Sequence, residues 1–474
     1  MLFNSFEFIL FLPAIFILYW FVFNKSLKLQ NGLILIASYF FYGWWSWKFM
    51  GLLMLSTALD YAYGFSVASP NRKKAKLFLW LSIINNLGIL AVFKYYNFFA
   101  VQIQNGLEQL GLHINPVLLQ VALPIGISFY TFHGMSYVID IYRGQQKPVK
   151  NFVDYAVFVS FFPLLVAGPI ERANHLLPQV QKPRCFDYAQ AVDGCRLMIW
   201  GFFKKVVIAD SLAPIVNDIF ANYNQQDSST LILGMIYFSF QIYGDFSGYS
   251  DIALGTAKLF GFELLSNFKF PYFSRDVAEF WRRWHISLSS WFRDYLYIPL
   301  GGSKNGKFQA IRNTFIIFVV SGLWHGASWN FIAWGFIHAC AFLPLLLLNR
   351  NRKFITDVVA QETLLPTFKE FTQMFITFAF VTFAWLFFRM SSVESAFEIL
   401  HKIVNGISHL SVPSFKSFLI YPIVLILLDW VNRKQNRTYH FGPPRFELYF
   451  VFPIMILTLI YHSTNQSEFI YFAF

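Results

Sequence analysis

FQAIRNTFIIFVVSGLWHGASWNFIAWGFIHACAFLPLLLLN, residues 308–349, is two apolar runs joined by a short polar element. The runs cover about 308–323 and 328–349, and Ser321-Gly322, His325-Gly326 and Asn330 interrupt them. Runs this apolar, each near the roughly 20 residues that cross a bilayer, read as a hairpin of membrane helices. The pattern recurs outward in both directions, at about 2–23, 31–47, 50–68, 77–95, 117–139, 152–171 and 230–243 before it and 371–389, 417–431 and 447–461 after it. Composition agrees: of 474 residues 56% are hydrophobic and only 13% charged, where soluble proteins carry roughly a quarter charged residues. A soluble globular enzyme, a disordered chain, a coiled coil and collagen are excluded on that ground. The expected fold is an all-α polytopic integral membrane protein, with residues 1–474 forming one membrane domain.

Leu2–Phe23 has no positive residue before it, contains Glu7 and is followed by Lys25 and Lys28, so it reads as a retained first membrane helix and not as a secretory signal. Lys204 and Lys205 break the run 197–209, and Pro124 and Pro163 fall inside other runs, which predicts tilted, kinked or re-entrant helices packed in protein. The net charge of +12 would suggest nucleic acid in a soluble chain. Here the basic residues cluster between apolar runs, at Lys25/Lys28, Arg72–Lys76, Arg143/Lys147/Lys150, Arg350–Lys353 and Arg433–Arg437, as in cytoplasmic loops facing anionic lipid. Even numbers of spans separate the first three clusters and the last two, so all five are expected in the cytoplasm and both termini, Phe474 included, outside. Residues 172–310 mix short apolar runs with many charges and cannot be threaded by hydropathy. Cys185, Cys195 and Cys340 are too scattered for a disulfide framework or a zinc site, and no metal, bound cofactor or nucleic acid is expected.

Three stretches could carry chemistry. NFKFPYFSRDVAEFWRRWHISLSSWFRDYLYIPLGG, residues 267–302, is too polar for a lipid-facing span. At helical spacing Trp281, His285, Leu288 and Phe292 share one face, with Arg282, Ser289 and Arg293 projecting elsewhere. It is either an interfacial amphipathic helix with a core histidine, or a helix folded inward that brings an imidazole and several cations to a buried tunnel. In the hairpin, Gly322 and Gly326 bracket Trp324-His325, so the backbone can turn tightly and present the imidazole to a cavity. A first helix of about 16 residues rises roughly 24 Å, less than the roughly 30 Å of hydrocarbon, which puts His325 inside the membrane toward the outer leaflet. An ionisable residue at that depth is a functional-site hypothesis by default. His338, 13 residues on and about 220° around a continuous helix, reads as packing, as does His133. The third stretch, Gln241–Asp251 with Tyr243 and Asp245, either lines the same cavity or is a loop with helix-capping Asp and Ser. No GxSxG elbow, P-loop or dinucleotide fingerprint appears in its strand–turn–helix context, so base-assisted chemistry on buried histidines remains.

QIYGDFSGYSDIALG (241–255), residues 267–302, SGLWHGASWNFIAWGFIHA (321–339) and SFFPLLVAGPIER (160–172) together resemble the membrane-bound O-acyltransferase (MBOAT) superfamily. Within it the resemblance is to the bacterial branch of the alginate O-acetylation membrane protein and the D-alanyl transfer protein of teichoic acids, with motifs dense between about 120 and 340. The resemblance implies a ring of about 11 transmembrane helices plus re-entrant or interfacial helices, in the bacterial inner membrane. It implies His325 as catalytic histidine and His285 as the second characteristic position. Trp324, Asn330, Trp281, Arg282, Arg293, Tyr243 and Asp245 become candidate substrate-binding residues.

The implied reaction moves an acetyl group from a cytoplasmic thioester, acetyl-CoA, toward an exported polysaccharide such as alginate, directly or through a periplasmic relay acetyltransferase or the export machinery. D-alanyl transfer from a carrier protein and transport of an acylated intermediate are the alternatives. A histidine suits removal of a hydroxyl proton as the thioester carbonyl is attacked. Arg275, Arg282, Arg283, Arg293, Lys304 and Lys307 would meet the CoA phosphates, or else anchor the helix to anionic lipid.

Overall fold

Backbone polar groups at membrane depth must find partners within the protein, which restricts spanning segments to helices or closed barrels. In the computed structural model every regular element among the described residues is helical. Those residues are 1–113, 115–166, 168–304, 306–435, 442–462 and 467–470. The expectations placed on Arg437 and Phe474 lie outside them. The chain divides into two compact units, Met1–Cys195 with Ala253–Leu265, and Arg196–Ile252 with Ser266–Phe474.

The first unit opens with the Phe6–Ile17 helix, capped by Ser5 and continued by a π turn, Leu18–Val22. Leu27–Gly43 and Trp47–Val67 follow, each entered through a serine whose side chain accepts a backbone N–H. Arg72–Leu90 runs through a π turn, Ala91–Tyr95, into Tyr96–Gln109, making 38 helical residues without a break. A carboxylate is buried among these helices: Asp60 accepts hydrogen bonds from Ser82 Oγ and Asn86 Nδ2, both at 2.8 Å.

The span expected at 117–139 is shorter than its apolar length, because only Ile127–Tyr142 is helical. Pro116 and Pro124 disfavour helix in the residues before them, and Asn97 holds the irregular segment through a reciprocal pair with Leu119, both bonds 2.9 Å. The 152–171 run is likewise two pieces, Phe152–Ser160 and Phe162–Leu165, and Pro163 sits in the first turn of the second, where its missing N–H costs nothing.

In the second unit Lys204 and Lys205 do not end the helix they interrupt. Tyr188–Phe202 passes into a π turn, Phe203–Ala209, and on into Asp210–Ala221, with both lysines buried. Lys204 Nζ lies 2.6 Å from Asp251, and Lys205 Nζ lies 2.7 Å from Asp210 and 2.6 Å from Asp245. Two of these carboxylates belong to the Gln241–Asp251 stretch, so it is neither a span end nor a loop. It is the middle of one 32-residue helix, Ser228–Leu259.

Residues 267–302 also depart from expectation. They form separate short helices, Val277–Arg283 and Ile286–Phe292, then a π turn, Arg293–Tyr297. Trp281 therefore lies on the first of these helices and His285 in the break after it, so the two do not share a helix face. The hairpin is as expected: Lys307–His325 and Trp329–Leu347, reversed at Gly326–Ser328. Phe368–Arg389 follows, opened by a capping box of Thr367 and Glu370. Among the described residues three helical runs suffice by length and apolarity to cross a membrane, Arg72–Gln109, Trp329–Leu347 and Phe368–Arg389, and Phe6–Val22 and Glu447–His462 are shorter apolar ones.

Candidate active site

His325 is the last residue of the first hairpin helix. The two hairpin helices are in backbone contact, because a Cβ on Gly322 would overlap the carbonyl oxygen of Phe331 and one on Gly335 the carbonyl oxygen of Phe318. Close approach of this kind fixes where the turn ends and hence where the imidazole is held. The ring is 3% exposed and lies among Trp324 at 4.9 Å, Trp334 at 5.1 Å and Phe388 at 5.3 Å between centroids.

His285 occupies the break between the two short helices with a left-handed backbone, φ 43° and ψ 54°. Such a conformation costs a non-glycine residue roughly 1–2 kcal/mol and persists where surrounding contacts dictate it. Asn267 supplies them: its carbonyl accepts the Ile286 N–H at 2.9 Å, and its side-chain oxygen accepts Ser287 Oγ at 2.6 Å. The His285 ring is fully buried, 4.7 Å from the Phe246 ring, 5.9 Å from Trp324 and 6.3 Å from His325. The two motifs thus converge with both imidazoles and Trp324 in one aromatic enclosure.

A cavity of about 220 Å³ lies against the first hairpin helix. Arg293, Tyr297, Ser303 and Arg352 supply polar groups to its lining, and Trp281, Phe318 and Ser321 line it as well. The expected cation cluster is divided. Glu279 pairs with Arg275 at 3.0 Å and with Arg283 at 2.8 Å, and Glu370 lies 3.7 Å from Arg275, so two carboxylates balance those two guanidiniums within the fold. Arg282 Nη1 donates to the carbonyl of Asn351, a cavity-lining residue, at 2.8 Å, while its buried Nε and Nη2 have no hydrogen-bond partner among the described residues. Arg293 is 63% exposed and pairs with Asp294 at 2.8 Å. Lys307 Nζ reaches only the Leu347 carbonyl, at 3.4 Å. Arg352 lines the cavity, although its sequence context spoke only of topology.

Other candidates make hydrogen bonds to groups other than the two imidazoles. Asn330 Nδ2 donates to the carbonyls of Met390, 2.7 Å, and Phe387, 3.3 Å, ending the Phe368–Arg389 helix. Tyr243 donates to Asp429 at 2.7 Å, and Asp245 is engaged with Lys205 and with the Ile470 N–H, 2.6 Å each. His338 is not remote from His325 as a continuous helix would make it. The turn at 326–328 resets the angle, and both rings pack on Trp334, at 5.0 and 5.1 Å. His133 lies in the first unit and accepts the Glu171 N–H at 3.0 Å.

Sequence reasoning missed Phe246 and Asn267, which carry no chemical signature. It also missed Asp429, a lone acid in an apolar run, for which the depth argument applied to His325 would have served.

Residues 34–387 match the family model described as MBOAT, membrane-bound O-acyltransferase family. The chain is 39% identical over 403 residues to the probable alginate O-acetylase AlgI of Azotobacter vinelandii, covering 84% of this chain and 77% of that one. It is 34% identical over 447 residues to the peptidoglycan O-acetyltransferase of Helicobacter pylori, covering 87% and 82%. To the teichoic acid D-alanyltransferase of Streptococcus thermophilus it is 30% identical over 284 residues, covering 56% and 68%.

Proposed function

Because this chain belongs to the membrane-bound O-acyltransferase family and is an O-acyltransferase, we propose that it moves an acetyl group from cytoplasmic acetyl-CoA toward a cell-envelope polysaccharide. The observation that carries the reading is the meeting of His285 and His325, 6.3 Å apart, with a cavity whose lining includes Arg293, Arg352 and, one helical turn before His325, Ser321. The CoA phosphates lie at Arg293 and Arg352, where guanidiniums give charge-assisted hydrogen bonds. The pantetheine arm follows the apolar walls, and the thioester reaches the histidines.

His325 accepts the proton of the acceptor hydroxyl as its oxygen attacks the thioester carbonyl. His285 stabilises the oxygen of the tetrahedral intermediate, whose collapse expels the CoA sulfur. The sulfur leaves with the proton that His325 took, so thiol and ester are formed and the imidazole returns neutral. Trp324, packed against both rings, excludes water that would hydrolyse the thioester.

Acetyl is favoured over D-alanyl transfer because the relatives named for acetyl transfer are matched over 84% and 87% of this chain and the D-alanyl relative over 56%. The acceptor is a polysaccharide such as alginate, reached directly or through a periplasmic relay acetyltransferase or the export machinery. The protein is a multi-pass component of the bacterial inner membrane, with about 11 spans in a ring. Membranes containing it, given radiolabelled acetyl-CoA and either alginate or peptidoglycan, are expected to put label into glycan. Label arriving only from a D-alanyl-charged carrier protein would replace the acetyl reading with its rival, and glycan movement without label transfer would replace it with transport.

A further inference from the structure

Of the residues that line the cavity, Ser321 comes nearest to His325 along the first hairpin helix, four residues before it, a rise of about 6 Å. Aromatic rings connect the cavity to the imidazole. Trp281 lines the cavity and packs against Trp334 at 5.7 Å. Trp334 meets the His325 ring edge-on at 5.1 Å and is backed by Trp385 at 5.6 Å. Trp334 and Trp385 are 0% and 1% exposed, and the glycine contacts that bind the hairpin helices leave the Trp334 helix no slack in which to withdraw. Packing of this density resists even one added methylene.

Trp281 is fixed from behind. Its indole N–H donates to His338 Nδ1 at 3.3 Å, and the His338 ring, itself fully buried, lies 5.0 Å from both Trp281 and Trp334. A buried imidazole amid apolar neighbours is an expensive way to fill space. Its acceptor nitrogen sets the rotation of the indole, which an apolar side chain of the same size would leave free.

Taking the cavity as the acyl-donor site, we infer that Trp281, held by His338 against Trp334, selects the size of the acyl group. The room left beside Trp281 and Ser321 admits acetyl and excludes longer chains. Trp281 is the specificity-determining residue, and His338 is a positioning residue that acts through it.

Competition for radiolabelled acetyl-CoA on the full chain in lipid nanodiscs tests this without needing an acceptor. On the wild-type protein butyryl-CoA should compete at least about tenfold less well than acetyl-CoA, the scale on which hydrophobic pockets resolve added methylenes. Trp281→Ala, or Trp281→Leu if the alanine variant does not fold, should bring the two within about threefold. His338→Phe should move the ratio the same way, while His338→Asn, which keeps an acceptor near Nδ1, should restore it. Equal competition by butyryl-CoA on the wild-type protein would overturn the selector and leave acetyl transfer standing. So would an unchanged ratio in a Trp281 variant that still binds acetyl-CoA. Failure of the wild-type protein to bind acetyl-CoA at all would remove the donor site and the selector together.

Discussion

At His285 a residue of ordinary chirality is held in a conformation that favours glycine, and the constraint separates its two contributions. His285→Gly removes the strain together with the imidazole, so thermal stability in detergent should hold or rise while acetyl transfer falls. A loss of both would mean that the ring is needed for packing. His325→Ala is expected to lower turnover by about 10²–10⁴-fold, the usual range for a positioned acid–base group, at an unchanged protein level in the membrane. Wild-type turnover in that variant would take His325 out of the mechanism. In the cavity lining, Arg293→Gln and Arg352→Gln should each raise KM for acetyl-CoA and leave kcat nearly unchanged. Reduced membrane level with constant KM would instead make these side chains lipid anchors. His325 was legible because a histidine between two apolar runs has no cheap explanation. The clamp at His285 was not, since nothing at Trp284-His285 breaks a helix locally. The break is imposed by Asn267, eighteen residues earlier in the sequence.

Lys204 and Lys205 show the same limit at the level of elements. Read along the chain they end an apolar run, because local hydropathy cannot see Asp245 and Asp251 on a helix some forty residues later. In the fold their ammonium groups sit between carboxylates, and the helix continues as a π turn. Removing one member of a buried ion pair strands the other charges, at a typical cost of about 3–5 kcal/mol. Lys205→Met should therefore lower the melting temperature substantially in detergent. Replacing Lys205, Asp210 and Asp245 together by apolar residues should recover much of the loss, because no charge is then left without a partner. A triple variant less stable than the single one would show that these groups serve chiefly to hold the 467–470 segment, to which Lys205 and Asp245 both bond. A proline told more: Pro124, inside the expected 117–139 span, marked that span as interrupted, and its helix starts only at Ile127.

For the whole molecule the basic clusters give a topology that can be measured. With Cys185, Cys195 and Cys340 replaced by serine, cysteines at Lys74 and Asn351 should label from the cytoplasmic side and one at Ser46, in the turn between the second and third helices, from the opposite side. Asn351 and Ser46 labelling from the same side would refute the arrangement. That orientation gives the long Arg72–Gln109 run a meaning beyond its role as a span. At 1.5 Å per residue its 38 residues extend about 57 Å, more than the roughly 40–45 Å of a bilayer with its headgroups. In the orientation proposed above, with Arg72 in the cytoplasm, the last turns before Gln109 would stand clear of the lipid as a mast on the opposite side. The protein would then offer a raised landmark on the face where the proposed exported polymer arrives.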